Sequence, residues 1–352
     1  MKKEITIAGK TISKDAPVFI IAEMSANHQM DFEKAVAIMQ AAKDAGADAI
    51  KVQTYTPDTI TLDSDDNCFQ ITQGTIWDGT TLHKLYQTAY TPWEWQRKLK
   101  EIAGEMGLLF FSSPFDLSSV DFLEEIGIPV YKIASFEILD IPLLKKIAKL
   151  GKPMIISTGI AHLSDIELAL ATCREAGNEQ VILLKCTSAY PAPVEDSNLL
   201  TIPNMAETLD CLVGLSDHTM GCAAATAGVA LGAKVVEKHL TLRRADGGAD
   251  AAFSMEPEEF KVMCENIRAV EKALGRVTYD LTSKQLKSRE HGRSLFIAKD
   301  MKAGEVFTPE NLRSVRPSAG LHTKYYEKLL GKKINREAKL GTPMSWELVD
   351  FT

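Results

Sequence analysis

The sequence has 352 residues, of which 45% are hydrophobic, and its 40 Lys and Arg against 47 Asp and Glu give a formal net charge of −7. This composition is that of an ordinary globular chain, and its mild acidity argues against nucleic acid as the main partner, which usually needs a basic face. The sequence has no apolar run near the ~20 residues of a membrane span, no signal-peptide core and no CxxC pair, so we expect a cytoplasmic protein with reduced cysteines.

The first predicted element is a short hairpin over residues 4–15, with its turn at Ala8–Gly9–Lys10. One unit then repeats along the chain: an apolar run of strand length, a few polar residues, and a stretch with apolar positions at helical spacing. Unbroken apolar runs suit strands that are buried on both faces of a parallel sheet. The eight runs are Val18–Ala22, Ala49–Val52, Leu108–Phe111, Val130–Ala134, Met154–Ile156, Val181–Leu184, Leu212–Leu215 and Val235–Val236.

Eight such units within about 250 residues predict a (β/α)8 barrel, also called a TIM barrel. The helical stretches agree with it: residues 31–46, for example, begin with the carboxylate of Asp31 and end at Gly46. A doubly wound open sheet is the alternative fold. That sheet would normally be shorter, and no GxGxxG motif follows the first strand.

One connection is longer than a barrel needs. The chain between Gln53 and Leu108 carries an acidic run and several aromatic residues, among them Trp77 and Tyr86. Long insertions after barrel strands are usually lids or specificity loops. We therefore expect this insertion to cover the mouth of the barrel, and a surface decoration is the alternative.

The pattern changes after the eighth unit. A helix is predicted over Glu256–Leu274, and the polar residues that follow it lack apolar periodicity. Beyond them come short pieces broken by turns, which is typical of a small β-rich module that is too short for a large core of its own. The predicted boundaries are 1–277 for the hairpin and barrel, 278–290 for a linker and 291–352 for the C-terminal module.

Two histidines follow neighbouring strands of the predicted barrel. His218 lies after the run Leu212–Leu215, and His239 lies after Val235–Val236. Side chains at the carboxyl ends of barrel strands converge on one mouth, where two neutral imidazoles can hold a divalent metal. The alternative is that each histidine caps its strand by a hydrogen bond to the backbone.

The other strands also end in polar residues. Two lysines, Lys51 and Lys132, together with several serine hydroxyls can form a small anion site, in which lysine acts as a point charge on phosphate. Two carboxylates, Glu23 and Glu137, are available for proton transfer, although Glu137 needs a bend near Ser135 to reach the mouth. The sequence therefore predicts a phosphorylated substrate beside a metal.

These motifs, taken in order, resemble the sialic acid synthase family, which condenses phosphoenolpyruvate with an amino sugar to give nine-carbon 2-keto acids. The tail Ser314–Leu321 resembles that family's antifreeze-like (SAF) domain. The motifs that carry the resemblance are Ala22–Glu23, Asn27–His28, Lys51–Gln53, Phe111–Phe115, Tyr131–Ser135, Ile156–Gly159, Cys186–Pro191, Gly214–His218 and Glu237–His239.

The resemblance implies a role for each matching position. His218 and His239 bind a divalent metal, Mn²⁺ or Mg²⁺ with Co²⁺ as a further option, and Glu23 is an acid–base residue near the carbon that bears the phosphate. The residues implied to hold phosphoenolpyruvate are Lys51, Ser113, Lys132, Ser135, Ser157, Ser188 and Ser216. Those implied to face the sugar are Gln53, Glu137, Tyr190, Asp250 and Arg316.

Within the family the chain is most similar to the pseudaminic acid branch, on the basis of Gln53–Asp58, Trp77–Gly79 and Ser314–Pro317. This branch implies a transferase that joins phosphoenolpyruvate to a 2,4-diacetamido-2,4,6-trideoxy-altrose. The alternative is a neuraminate or legionaminate synthase with an N-acetylmannosamine-type acceptor. The resemblance also implies a homodimer that exchanges its C-terminal modules, with Arg316 acting in the neighbouring chain.

Three other functions compete with this one. Metal hydrolases of the amidohydrolase type place two histidines on the first strand, which here ends in Glu23 instead. A phosphoenolpyruvate aldolase that acts on sugar phosphates shares the chemistry up to the acceptor. The C-terminal module alone could bind ice or carbohydrate, but that function would not explain the polar strand ends. Phosphate release that requires both substrates distinguishes the condensing enzyme.

Overall fold

Eight parallel strands close into a barrel within Met1–Gly275, the first of two units of the computed structural model; the second is Arg276–Thr352. The structure describes residues 1–72 and 74–351; Gln73 of the predicted insertion and Thr352 of the predicted module lie outside it. Each barrel strand pairs with the next along the chain, and the last pairs with the first, which confirms the predicted (β/α)8 fold. The barrel strands are β3 (Phe19–Glu23), β4 (Ala49–Thr54), β5 (Leu109–Pro114), β6 (Tyr131–Ile133), β7 (Met154–Ser157), β8 (Val181–Cys186), β9 (Leu212–Asp217) and β10 (Val235–His239).

Most barrel strands extend beyond their apolar runs. The run predicted at Val235–Val236 continues to His239, and the run that begins at Leu212 continues to Asp217. All residues of these two strands are buried, polar ones included. The polar strand ends are therefore part of the hydrogen-bonded barrel, which fixes their side chains more firmly than a loop would.

A small antiparallel hairpin precedes the barrel. It consists of β1 (Glu4–Ile7) and β2 (Lys10–Ser13), and its two turn residues, Ala8 and Gly9, both have positive φ. Ile5, Ile7 and Ile12 of the hairpin belong to the same buried apolar cluster as the barrel strands. The hairpin is thus an integral part of the barrel's core.

Helices alternate with the strands and cover the outside of the barrel. The first of them shows the expected signals, because the side chain of Asp31 accepts a hydrogen bond from Lys34 N at 3.1 Å. The α-helices of this unit are α1 (Phe32–Asp44), α2 (Pro57–Ile60), α3 (Leu82–Ala89), α4 (Trp93–Glu105), α5 (Leu117–Ile126), α6 (Ile141–Ala148), α7 (Leu163–Glu175), α8 (Thr201–Thr208), α9 (Ala223–Ala230) and α10 (Pro257–Leu274). Short 3₁₀ helices span Ser25–His28, Asn67–Phe69, Ser135–Leu139, Val194–Ser197, Arg244–Asp246 and Ala251–Phe253.

The second unit has an apolar core of its own, which includes Leu295, Phe307 and Ile334. Its elements are α11 (Ser283–Arg289), β11 (Ser294–Ile297), β12 (Leu312–Val315) and α12 (Tyr326–Leu329), with 3₁₀ helices at Thr323–Tyr325 and Trp346–Leu348. Helix α11 lies within the segment predicted as a linker and has no buried residue. Within the described residues, no helix is both long and apolar enough to cross a membrane.

Candidate active site

A cavity of about 640 Å³ lies at the carboxyl ends of the barrel strands. Most of the residues that the sequence singled out line it: Lys51, Gln53, Lys132, Ser135, Glu137, Ser157, Ser188, Tyr190, Ser216, His218, His239 and Asp250. Three do not line it. Glu23 and Ser113 are buried next to Lys51, and Arg316 directly follows β12 in the second unit.

Two buried lysines form what we call the cavity floor, together with Ser157, Ser216 and Glu237. Lys51 forms an ion pair with Glu23, and its Nζ also donates to Ser113 Oγ at 3.2 Å. The Nζ of Lys132 donates to Ser157 Oγ at 2.7 Å. Side chains of this kind, buried and already held in place, are suited to bind an anion without further rearrangement.

Glu237 lies between the two lysines. Its Oε1 is 3.5 Å from the Nζ of Lys51 and 3.7 Å from the Nζ of Lys132, and its Oε2 is buried without a hydrogen-bond partner. The sequence patterns assigned no role to this residue, although it opens the motif Glu237–His239. Period two along β10 places it on the same face as His239, and that was the signal that could have found it.

The floor thus contains two lysines and, with Glu23, two carboxylates. Burial raises the pKa of Glu23 to about 6, even though the ion pair with Lys51 opposes that change. Burial also acts on Glu237, but the two lysines outweigh it and lower the pKa of this carboxyl. Burial lowers the pKa of Lys132, while the two glutamates outweigh burial at Lys51 and raise its pKa.

Glu137 reaches the cavity through the predicted bend near Ser135. Strand β6 ends at Ile133, and the 3₁₀ helix Ser135–Leu139 turns the chain across the mouth. The Oε2 of Glu137 is shielded from solvent and has no hydrogen-bond partner. Burial raises the pKa of this carboxyl to about 7, so that it can exchange a proton near neutral pH.

The backbone of Gly159 packs directly against two of the predicted phosphate-site serines. Its N–H donates to Ser135 Oγ at 3.0 Å. A Cβ at this position would collide with Ser188 Oγ and lie 2.8 Å from Ser135 Oγ. Glycine is therefore required here for the close approach of the backbone to the two hydroxyls.

The two predicted metal ligands face each other, with their ring centroids 5.3 Å apart. The Nδ1 of His218 donates a hydrogen bond to the carbonyl oxygen of Thr187 at 3.1 Å. The other ring nitrogen, Nε2, therefore keeps its lone pair, with which it can bind a metal. The Nδ1 of His239 is buried and has no hydrogen-bond partner. Burial lowers the pKa of His239 well below its usual value, so the ring is neutral, which is the form that binds metals.

The environment of His218 differs from that of His239. Burial lowers the pKa of His218, but the hydrogen bond and the negative charge of the neighbouring Cys186 thiolate, 3.8 Å from Nδ1, outweigh burial and raise it. A metal would compete with the proton that this raised pKa favours on the imidazole of His218. Within the described residues no group of three or more His, Cys, Asp and Glu could hold a metal, so oxygen atoms of water or substrate would have to complete the ligand shell of the two histidines.

The insertion between β4 and α4 covers one side of the cavity. We call its lining residues the insertion wall: Ile60, Ile71, Thr75, Trp77, Leu82, Leu85, Tyr86 and Ala89. Trp77 connects this wall to the opposite rim, because its Nε1 donates to the carbonyl oxygen of Ala249 at 2.8 Å. Its ring also packs against Tyr190, with centroids 5.6 Å apart, and Tyr190 in turn lies 4.6 Å from the ring of His218.

A chain of polar side chains lies on the rim near Trp77. Gln53 Nε2 donates to Ser25 Oγ at 2.9 Å, and Ser25 Oγ donates to the carboxylate of Asp250. Burial raises the pKa of Asp250. Asn27 and His28, which belong to a family motif, do not line the cavity; Asn27 Nδ2 instead donates to the carbonyl oxygen of Leu240 at 2.9 Å and stabilises the rim.

The fold and the cavity together define a (β/α)8 barrel with a charged floor and a largely apolar wall at its mouth. Comparison with known proteins identifies the family: the NeuB family model matches residues 38–279, and the SAF domain model matches residues 292–350. The chain belongs to the NeuB family and carries a SAF domain.

Two relatives that match nearly the whole chain bear the same name. The chain is 48% identical to a pseudaminic acid synthase of Campylobacter jejuni, over 93% of this chain and 95% of that protein. It is 43% identical to a pseudaminic acid synthase of Helicobacter pylori, over 94% of this chain and 97% of that protein. Among solved structures, a spore coat polysaccharide biosynthesis protein of Bacillus subtilis superimposes with a TM-score of 0.68 at 34% identity and 99% coverage of both chains. The predicted family and branch are confirmed.

Proposed function

We propose that the chain condenses phosphoenolpyruvate with 2,4-diacetamido-2,4,6-trideoxy-β-L-altropyranose and water, giving pseudaminic acid and phosphate. The observation that carries this proposal is the 48% identity, over nearly the whole chain, to a protein named for that product. A synthase of this kind is a transferase that forms a carbon–carbon bond. The two regions of the cavity correspond to its two substrates.

The floor suits phosphoenolpyruvate. Lys51 and Lys132 provide two buried positive charges, and Ser157 and Ser216 provide hydroxyl groups beside them. In such a dry site each charge acts on phosphate much more strongly than it would in water. Ser135 and Ser188, which lie against Gly159, extend the set of hydroxyls, and Ser113 acts through its hydrogen bond to Lys51.

The insertion wall suits a sugar that lacks one hydroxyl and carries two acetamido groups. A methyl group at C6 and the acetyl methyls would lie against apolar side chains such as Ile71 and Leu85. A hydroxylated competitor would leave a polar group without a hydrogen-bond partner there, which is costly. Gln53, Glu137, Tyr190 and Asp250 also line the cavity and would supply the polar contacts to the sugar.

His218 and His239 would hold the divalent cation, Mn²⁺ or Mg²⁺, that the family resemblance implies. When bound, such a cation supplies Lewis-acid polarisation of the acceptor's open-chain aldehyde. The side chains nearest to it contribute in other ways. The ring of Tyr190 packs on His218 and Phe253 packs on His239, with centroids 4.6 and 4.9 Å apart, and these contacts help to hold both imidazoles in place.

Proton transfer is divided between two carboxyls in this proposal. In the reaction C3 of phosphoenolpyruvate attacks the aldehyde carbon, water adds at C2, and the C–O bond to phosphate breaks. Glu137 lines the cavity and has a pKa of about 7, so it can give a proton to the aldehyde oxygen directly. Glu23 lies behind Lys51 and would act on the added water through that lysine.

Arg316 would complete the acceptor site from a neighbouring chain. It follows β12 in a unit whose own core is small, and a guanidinium forms strong charge-assisted hydrogen bonds to sugar oxygens. We therefore propose a homodimer with exchanged C-terminal units. Mixing Arg316→Ala with Glu137→Gln should restore activity, because a mixed dimer rebuilds one intact site. No recovery after verified subunit exchange would show that each unit serves its own barrel.

Comparison of two acceptors tests the proposed function. The specificity constant for the 6-deoxy diacetamido sugar should exceed that for N-acetylmannosamine. The opposite preference would assign the chain to the neuraminate branch. The reaction in ¹⁸O-labelled water should place the label in the keto acid, and label in the released phosphate would contradict the C–O cleavage route.

A further inference from the structure

A buried ion pair lies directly beside the two candidate metal ligands, and nothing in the proposed reaction uses it. Lys238 precedes His239, and Asp217 precedes His218. The Nζ of Lys238 is 2.6 Å from Oδ2 of Asp217, and the two side chains are 0% and 2% exposed. Neither residue lines the cavity, so neither touches a substrate there.

The hydrogen bonds of this pair enclose His218 on both sides. The Nζ of Lys238 also donates to the carbonyl oxygen of Thr219 at 2.5 Å, and the other carboxylate oxygen of Asp217 accepts from Thr219 N at 2.9 Å. The chain before and after His218 is thus fastened to the residue that precedes His239. We call this arrangement the Asp217–Lys238 clamp.

Backbone pairing alone does not position His218. The register between β9 and β10 ends with the pair Asp217 and Lys238, so His218 lies one residue beyond the ladder. His239, in contrast, still pairs with Glu23 of β3 on its other side. The carbonyl oxygen of His218 accepts a hydrogen bond from Ala192 N at 3.0 Å, but on the side of His239 only the clamp takes the place of the ladder.

We propose that the Asp217–Lys238 clamp is a positioning device for a divalent cation: it sets the 5.3 Å separation of the two imidazole rings and thereby the affinity of the cation. The inference rests on the metal centre of the proposed function. A purely structural ion pair would affect only folding. A positioning pair affects the affinity for metal even when the fold is intact, because residues that orient metal ligands typically contribute about 10- to 100-fold to that affinity.

The decisive variant removes both charges at once. Breaking one partner leaves a buried unpaired charge, whereas replacing a whole buried pair by neutral groups is often tolerated. In the full-length protein, Asp217→Asn with Lys238→Met should keep a wild-type circular dichroism spectrum. Its Mn²⁺ dissociation constant, measured by calorimetry after removal of bound metal, should rise about 10- to 100-fold.

A second ion pair, less deeply buried, lies at the other end of the barrel and serves as a control. Asp48 and Arg268 form an ion pair with a 3.0 Å separation, in front of β4 and far along the chain from both histidines. Asp48→Asn with Arg268→Met should leave the Mn²⁺ affinity unchanged. If Asp217→Asn with Lys238→Met does not fold, Asp217→Asn with Lys238→Gln also leaves no unpaired buried charge, and it should weaken Mn²⁺ binding in the same way.

The outcomes separate the two hypotheses. If the wild-type chain binds Mn²⁺ and the folded clamp variant binds it equally well, the clamp inference is wrong and the metal centre stands. If the wild-type chain itself binds no divalent cation, both the metal centre and the clamp are wrong. Equal weakening in the Asp48 and Arg268 control would also overturn the clamp, because the effect would then be a general loss of rigidity.

Discussion

The cavity floor and the insertion wall are built by different means. The floor consists of side chains on five strands of a closed barrel, where the register of the ladder fixes which residues meet. The wall consists of residues on a long connection, positioned by helix α3 and by the hydrogen bond from Trp77 to Ala249. Under the proposed function, the barrel would carry the chemistry of phosphoenolpyruvate and the insertion would select the acceptor.

The largest effect on kcat is expected from loss of the metal that His218 and His239 would hold. Exhaustive chelation should lower kcat by a factor on the order of 10³, because the aldehyde loses its Lewis acid. His239→Asn should lower kcat similarly and weaken Mn²⁺ binding, with the circular dichroism spectrum unchanged. Full activity of the metal-free enzyme would mean that the histidines only cap their strands.

The floor itself is tested by Lys132→Met, which removes one of the two lysine charges of the floor. We expect kcat/KM for phosphoenolpyruvate to fall about 10²- to 10³-fold, while the KM for the acceptor stays within about twofold. Lys185→Met is the control, because Lys185 also lies on a barrel strand, but its Nζ donates to the carbonyl oxygen of Cys186 and its side chain does not line the cavity. An equal loss in both variants would contradict a phosphate-binding floor.

The wall is tested by Trp77→Ala, which removes both the ring contact with Tyr190 and the hydrogen bond to Ala249. The KM for the acceptor should rise roughly 10- to 100-fold, as for loss of an apolar contact in a specificity pocket, with little change in the KM for phosphoenolpyruvate. Trp77→Phe keeps the ring and loses only the hydrogen bond, so it should be milder. A larger effect on phosphoenolpyruvate would show that floor and wall are not separable.

The smallest effect is expected on the free energy of unfolding, when Glu137 is replaced. Because burial raises the pKa of Glu137 from about 4.5 to about 7, the folded state binds this proton more tightly than the unfolded chain does. Stability should therefore fall as the pH rises between these values. Glu137→Gln should stabilise the protein at pH 8, by about 1 to 3 kcal/mol in urea unfolding, and hardly at pH 4.5. Equal stabilisation at both pH values would refute the raised pKa.

Much of the fold and of the floor was accessible from the sequence. Unbroken apolar runs followed by polar residues predict the barrel, and the convergence of strand ends then brings Lys51, Lys132 and the two histidines together. Most predicted strands are too short, because apolar character alone does not show that a strand continues into polar residues. The run Val235–Val236, for example, continues as β10 to His239. Glu237 was missed for the same reason, since it lies inside the strand extension that apolar character alone does not reveal.

The wall could be predicted only as an insertion with aromatic residues. Its position depends on contacts distant in sequence, such as the hydrogen bond from Trp77 to Ala249, which local patterns do not encode. Likewise, the sequence predicted Glu23 as a carboxylate at the mouth, but in the structure Glu23 lies behind Lys51. The side chain of Lys51 pairs with Glu23 and lines the cavity, whereas Glu23 does not. Which of the two groups faces the cavity depends on this pairing, which the sequence does not reveal. The catalytic and binding roles of these residues remain predictions.

The insertion leaves the barrel at the carboxyl end of β4 and returns at the start of α4, the helix that the β4–β5 crossover needs in any case. Residues 55–92 therefore form a cassette that could be grafted from one family member to another without changing the length of any barrel strand. A second segment would have to be transferred together with the cassette. The loop that contains Ala249 and Asp250 receives Trp77, so a transplanted cassette should carry that loop with it to deliver the donor enzyme's sugar preference.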